Sequence, residues 1–241
     1  MLRALFNRIH EAERKFSRSF GNDIATPKGR RAAKWHFYMS DHGFLRGLWT
    51  NQFEIAPGVW RSNQPSPARL RKLADMGVKS VLNLRGQDKF SFYLFERETC
   101  AELGLTLHDL KIYARKLVPA ERYLLLFDIF DRIEKPFVLH CKSGADRAGL
   151  VSALWLLDQE GATVDQAKAM LSLKYAHLKH TRTGLMDHVL DVYQTDTATT
   201  PMPIRQWFAK IYDADVLTAS FYNKMGWPLP APKAAAKGAL K

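Results

Sequence analysis

Phe137-Val138-Leu139-His140-Cys141-Lys142-Ser143-Gly144-Ala145-Asp146-Arg147-Ala148-Gly149 is the stretch on which the fold turns. Phe137 to His140 is a short apolar run that reads as a buried strand, and Ala148 to Glu160 reads as a strongly apolar helix stopped by Gly161. Between them lies a tight polar turn opening on Cys141. A thiol is a poor nucleophile until it loses its proton. At the start of a turn that feeds a helix it meets inward-pointing N–H groups and the positive end of the helix dipole, both of which favour the thiolate. The same N–H groups suit the oxygens of a bound phosphate. Gly144 serves where the chain curls around the anion, and Arg147 can fold back to grip two oxygens with a planar fork that lysine lacks.

Working outward, β and α patterns alternate. Phe53 to Arg61 reads as two short strands around Pro57-Gly58, Val78 to Leu84 as a buried strand, and Leu105 to Leu110 as another. Helices are expected from Phe92 to Leu103, ending at Gly104, and from Pro119 to Glu134 with proline in the first turn. A further helix follows Thr163, with Gln166 placed for a capping box. This order predicts an α/β fold with a central, mainly parallel sheet flanked by helices on both faces. In such sheets ligands bind where strands end and helices begin.

His-Cys, five residues, then Arg resembles the signature of the cysteine-based protein tyrosine and dual-specificity phosphatases. Within that superfamily the chain is most similar to the compact, atypical dual-specificity group. The likeness runs from about Phe53 to Tyr193, and includes Val59-Trp60-Arg61-Ser62-Asn63-Gln64-Pro65 and Val81-Leu82-Asn83-Leu84-Arg85. It implies phosphate monoester hydrolysis in two steps through a phosphocysteine, with no metal or other cofactor. Cys141 would be the nucleophile and Arg147 the phosphate clamp, while His140, Lys142, Ser143, Gly144, Ala145, Asp146 and Ala148 would form the substrate-binding loop. The family draws its general acid from an aspartate ahead of the cysteine. Asp109, at a predicted strand end, is the first choice, and Asp146 inside the loop is the rival. Ala148 departs from the pattern, since a serine or threonine there would stabilise the departing thiolate, and slow phosphoenzyme breakdown is the expected result. Arg61, Arg85 and Arg115 are expected along the approach to the pocket. His177 and His180 are not expected to bind zinc, two histidines being too few.

The 241 residues are 46% hydrophobic and 25% charged, enough for one globular core with extensions. Residues 1–50 read as a basic extension, 51–195 as the phosphatase domain, and 196–241 as an amphipathic stretch followed by a disordered basic tail. In the extension Leu2, Leu5, Phe6 and Ile9 recur at helical spacing, Gly21 to Arg31 reads as a linker, and aromatic residues cluster from Trp35 to Trp49. In the last segment Ile204, Trp207, Phe208 and Ile211 share a helical face. The formal net charge of +12, half of it within residues 1–50, calls for an anionic partner. That partner is expected to be a phosphorylated protein or a phosphorylated lipid, with peripheral contact to an anionic membrane. No recognisable reading motif points to nucleic acid. Two cysteines in unlike segments, with no spanning apolar run and no signal-peptide pattern, suit the cytoplasm. Cys100, among apolar neighbours, reads as core. A reading of another class is a catalytically inactive phosphate-binding scaffold.

Overall fold

The computed structural model describes residues 19–230. The amphipathic pattern of Leu2 to Ile9 and the end of the basic tail lie outside that range. Five strands form one sheet: β1 (Phe53–Ala56), β2 (Val59–Asn63), β3 (Ser80–Asn83), β4 (Thr106–Asp109) and β5 (Phe137–Cys141), in the spatial order β1-β2-β5-β3-β4. β1 and β2 form an antiparallel hairpin through Pro57-Gly58, where Gly58 has φ +74°, and every other pairing is parallel. Each strand behind the site alternates its side chains between the two faces. Leu82, Phe137 and Leu139 enter the larger core, while Val81 and Val138 enter a second core on the opposite face.

The second face is covered by α3 (Pro67–Asp75) and α4 (Ser91–Leu103), the latter closed by Gly104 at φ +68°. The larger core is covered by α5 (Ala120–Arg132), α6 (Asp146–Gln159) and α8 (Leu185–Asp196), with the short α7 (Val164–Lys168) beside them. Thr163 and Gln166 form the expected capping box on α7.

Two end segments differ from the sequence reading. Gly21 to Arg31 is not a plain linker, because α1 spans Pro27–Trp35, with Thr26 accepting from Gly29 N–H as N-cap and proline at the first turn. A π-helical turn (His36–Ser40) and α2 (Gly43–Leu48) follow. They bury Phe37 against Phe95 of α4, yet leave Trp35, Tyr38, Met39, Phe44, Leu45, Leu48 and Trp49 exposed. At the other end α9 (Ile204–Lys210) buries Ile204, Trp207 and Phe208 in the larger core, whereas Ile211 is exposed. α10 (Ala214–Lys224), absent from the sequence reading, is capped by Asp213 and packs Leu217, Phe221 and Tyr222 into the same core. No helix among the described residues is long and apolar enough to cross a membrane.

Candidate active site

Cys141 ends β5 at the centre of the sheet, where a loop of four residues turns into α6. What fixes that loop is the fate of its carbonyls. Lys142 O accepts from Gln64 N–H at 3.3 Å, and Ser143 O from Asn51 Nδ2 at 3.1 Å. Gly144 O and Ala145 O both accept from Arg61 Nη2, at 2.7 and 3.1 Å. With four successive carbonyls held from outside, the loop's N–H groups are left to face inward, and Gly144 N–H donates to Cys141 Sγ at 3.2 Å. Gly144 has φ +75°, and a Cβ there would lie 2.7 Å from Asn63 N, so no other residue fits without displacing β2.

Arg61 was expected near the pocket entrance. It is instead fully buried beneath the loop, stacked 3.8 Å from the centroid of the Tyr175 ring, with Nη1 donating to Met170 O at 2.7 Å. Burial brings its pKa down to about 10, an effect partly offset by Tyr175, Cys141 and Asp146. Asn51 also donates to Tyr175 O at 3.0 Å, which ties the loop to the chain after α7.

Arg147 sits in the first turn of α6. Its Nη1 reaches Ile112 O at 3.4 Å, its Nε is buried without a partner, and no carboxylate among the described residues pairs with it. An arginine in that state, in the first turn of the helix that follows the loop, is suited to pairing with an anion. Cys141 is buried, 1% exposed. Ala148 is fully buried, and Ser143 keeps its hydroxyl on the rim, accepting from Ala145 N–H at 3.4 Å.

His140 is fully buried on the opposite face from Cys141, with Nε2 2.7 Å from Glu96 Oε1. His140 Nε2 makes no hydrogen bond there, so this contact is one of close packing. Glu96 Oε1 accepts from Gln64 Nε2 at 2.9 Å, and Gln64 Oε1 from Arg85 Nη1 at 3.0 Å. Arg85 then grips Asp41 with two bonds of 2.9 Å. Asp41 also pairs with Arg46 at 2.9 Å and Lys142 at 3.4 Å. Burial alone would oppose its ionisation, but Arg85, Lys142 and Arg46 together hold its carboxyl well below the usual carboxylate range. Arg85 therefore joins the π-helical turn to the loop rather than lining an open approach.

The two candidate acids differ in their surroundings. Asp146 is bound at 2.7 Å by His177, which also meets Asp187 at 2.6 Å. Burial opposes the charge on His177, yet the two carboxylates raise its pKa to about 9, making it an imidazolium at neutral pH. Asp109, at the end of β4, accepts from Asn83 Nδ2 at 2.8 Å and from Tyr93 O–H at 2.7 Å, both neutral donors. Cys100 is buried in the second core, which pushes its thiol up to about 12.

Residues 46–186 match the family described as the DSP-PTPase phosphatase fused to NAD+ kinase. The chain belongs to this phosphatase family. It is thus a cysteine-dependent phosphatase of the atypical dual-specificity group, as its signature led us to expect. Among solved structures, a DUF442 protein of Shewanella putrefaciens CN-32 is 14% identical, with 62% of this chain and 95% of that one covered at a TM-score of 0.50. This shows the shared fold. TpbA of P. aeruginosa is 19% identical over 73% of this chain and 91% of that one, TM-score 0.48. The core catalytic domain of the PP-IP phosphatase Siw14 of S. cerevisiae is 13% identical over 73% and 94%, TM-score 0.44. No curated protein matches the phosphatase.

Asn51, Arg61 and Gln64 are the residues that the sequence reading missed as parts of the loop's support. The polar run Arg61-Ser62-Asn63-Gln64 at the end of β2 was a signal for two of them, and it says nothing of which loop these side chains reach.

Proposed function

We propose that this phosphatase hydrolyses phosphate monoesters through a cysteinyl-phosphate intermediate, with Cys141 as nucleophile and Arg147 as clamp. The observation that carries the proposal is the outward anchoring of the carbonyls of Lys142 to Ala145, which turns their amides inward, toward the Cys141 sulfur and the phosphoryl oxygens it would attack. The sulfur attacks phosphorus, the ester P–O bond breaks, and the leaving oxygen takes a proton from Asp109. Water then attacks phosphorus and returns a proton to Asp109, and the S–P bond breaks to release phosphate and thiolate. Asp109 is preferred to Asp146 because the latter is committed to a cationic partner. Lys142, Ser143, Gly144, Ala145 and Asp146 line the substrate, while His140 and Ala148, both buried, shape the loop from beneath.

Turnover of a chromogenic aryl phosphate tests the scheme. It should vanish in Cys141→Ser and survive a metal chelator; a parent protein without turnover would favour the inactive scaffold. Asp109→Asn should slow an alkyl phosphate about 100-fold or more while hardly affecting an aryl ester with a good leaving group. If Asp146→Asn shows that split instead, the acid is Asp146.

For substrate, a phosphorylated protein is the family's default and a cytoplasmic setting suits two free thiols. A membrane phosphate, as in a phospholipid or lipid A, is the second reading, supported by the exposed apolar residues between Trp35 and Trp49. Comparing phosphopeptides with these lipids in vesicles separates the two. We take residues 51–195 as the catalytic unit, with the segments on either side as its packed extensions.

A further inference from the structure

Beside the catalytic loop, and separate from it, the segment from the π-helical turn to α2 closes over a cavity of about 270 Å³. Its walls are the rings of Phe37, Tyr38 and Phe44, and its polar lining includes Arg46, Arg69 and Gln64. Two guanidinium groups thus share a small apolar-walled space. Arg46 has Asp41 as counter-ion, but Arg69 has no carboxylate partner among the described residues: it donates only to the side-chain oxygens of Asn63 and Gln52, and to Ser66 through its main chain. Nε of both arginines is buried with nothing to receive its hydrogen. Burial, and then the charge of Arg46, bring Arg69 down to about 10, as befits a cation lacking a matching anion.

The rim of this cavity is apolar. Tyr38 and Phe44 are themselves partly open to solvent, and Met39, Leu45, Leu48 and Trp49 of the same short segment are exposed, Leu48 to 86%. Trp35 joins them at the end of α1, whose Lys28, Arg31 and Lys34 are exposed beside it. A short segment rich in exposed apolar side chains, with cations on the helix before it and two arginines lining a cavity within it, matches a bilayer interface in which phosphate groups lie just above acyl chains.

We propose that the cavity seats the headgroup phosphate of an anionic phospholipid while the surrounding aromatic and aliphatic side chains insert between neighbouring lipids, so that the chain docks on an anionic membrane through residues 35–49. Asp41 ties this segment to Lys142, so the docked face adjoins the catalytic loop. The inference does not depend on which ester the phosphatase cleaves.

Co-sedimentation of the full chain with phosphatidylcholine vesicles, with and without phosphatidylglycerol, provides the test. Binding should require the anionic lipid. The Leu48→Ser/Trp49→Ser double variant should bind at least about tenfold more weakly, through lost apolar burial. Arg69→Gln should bind about fivefold more weakly, as expected for one interfacial cation. The double variant should keep the parent's aryl phosphate turnover, which shows that its loop is intact. Trp49 fluorescence, read as the difference between the parent and Trp49→Phe, should be quenched by lipids brominated in the acyl chain. Equal binding to neutral vesicles would overturn the proposal. So would unchanged binding of the double variant, or loss of binding only in Leu2→Ser/Leu5→Ser/Phe6→Ser, which would assign docking to the N-terminal residues. Vesicle binding without any aryl phosphate turnover would leave the docking inference standing and refute the catalytic one.

Discussion

At the scale of single residues, the candidate site depends on a buried arginine that performs no chemistry. Arg61 neutralises no acid; it spends its hydrogens on the carbonyls of Met170, Gly144 and Ala145. Arg61→Met keeps much of the volume but leaves Met170 O and Gly144 O without donors, each a loss on the order of 1–3 kcal/mol, while Ala145 O keeps Gly149 N–H at 2.9 Å. Urea unfolding should show a destabilisation of about 2–4 kcal/mol, and kcat/KM for an aryl phosphate should fall by about 100-fold or more as the amides lose their aim. Gly144→Ala should also be damaging, since its Cβ meets β2 backbone rather than a side chain able to move aside. These roles were illegible in the sequence for a physical reason. Cys141, Gly144 and Arg147 could be proposed from sequence because the chemistry they suggest is local to one strand–turn–helix, whereas the bonds from Asn51, Arg61 and Gln64 join segments far apart in the chain. An arginine in a strand gives no sign of being buried until its partners are known.

At the scale of elements, two polar clusters hold the loop between its neighbours. His177 joins the start of α6 to the start of α8 through Asp146 and Asp187. Its pKa in the folded chain, about 9, lies above the ordinary 6.5. The imidazolium therefore stabilises the fold fully below about pH 6.5, and that contribution is lost as the pH rises through about 9. The unfolding free energy in urea should decline across this window, and His177→Gln should flatten the decline. Asp41 performs a similar office for the π-helical turn, where one carboxylate faces Arg85, Arg46 and Lys142. Asp41→Asn leaves three cations uncompensated, and breaking a buried pair in this way costs about 3–5 kcal/mol. Hydrogen exchange should quicken over residues 36–48 before it does in the sheet. Helix limits near the sheet were largely readable, because capping residues and glycines mark them. α1 was missed because the glycine, asparagine and proline of Gly21 to Arg31 suggest a loop by composition, although Thr26-Pro27 is itself a helix start. Asp213 marked α10 in the same unread way.

At the scale of the whole molecule, the C-terminal helices are part of the larger core. Phe208 stacks on Tyr123 of α5 with centroids 4.4 Å apart, Tyr212 O–H donates to Val118 O at 2.8 Å, and Arg205 bridges Asp131 and Asp158. Trp207 is fully buried, so Trp207→Ala should cost about 3–5 kcal/mol and lower the melting temperature. The amphipathic face from Ile204 to Phe208 was visible in sequence, but its destination was not, since periodicity gives a face and not its partner.

The carbonyls of the Lys142–Ala145 turn are satisfied by the protein itself, through Arg61, Gln64 and Asn51. An incoming oxyanion such as vanadate or tungstate thus meets a receptacle that need not reorganise, and association should forfeit little chain entropy. Calorimetry would register that as heat release with a small entropic penalty, and differential scanning as a melting point climbing with the logarithm of oxyanion concentration.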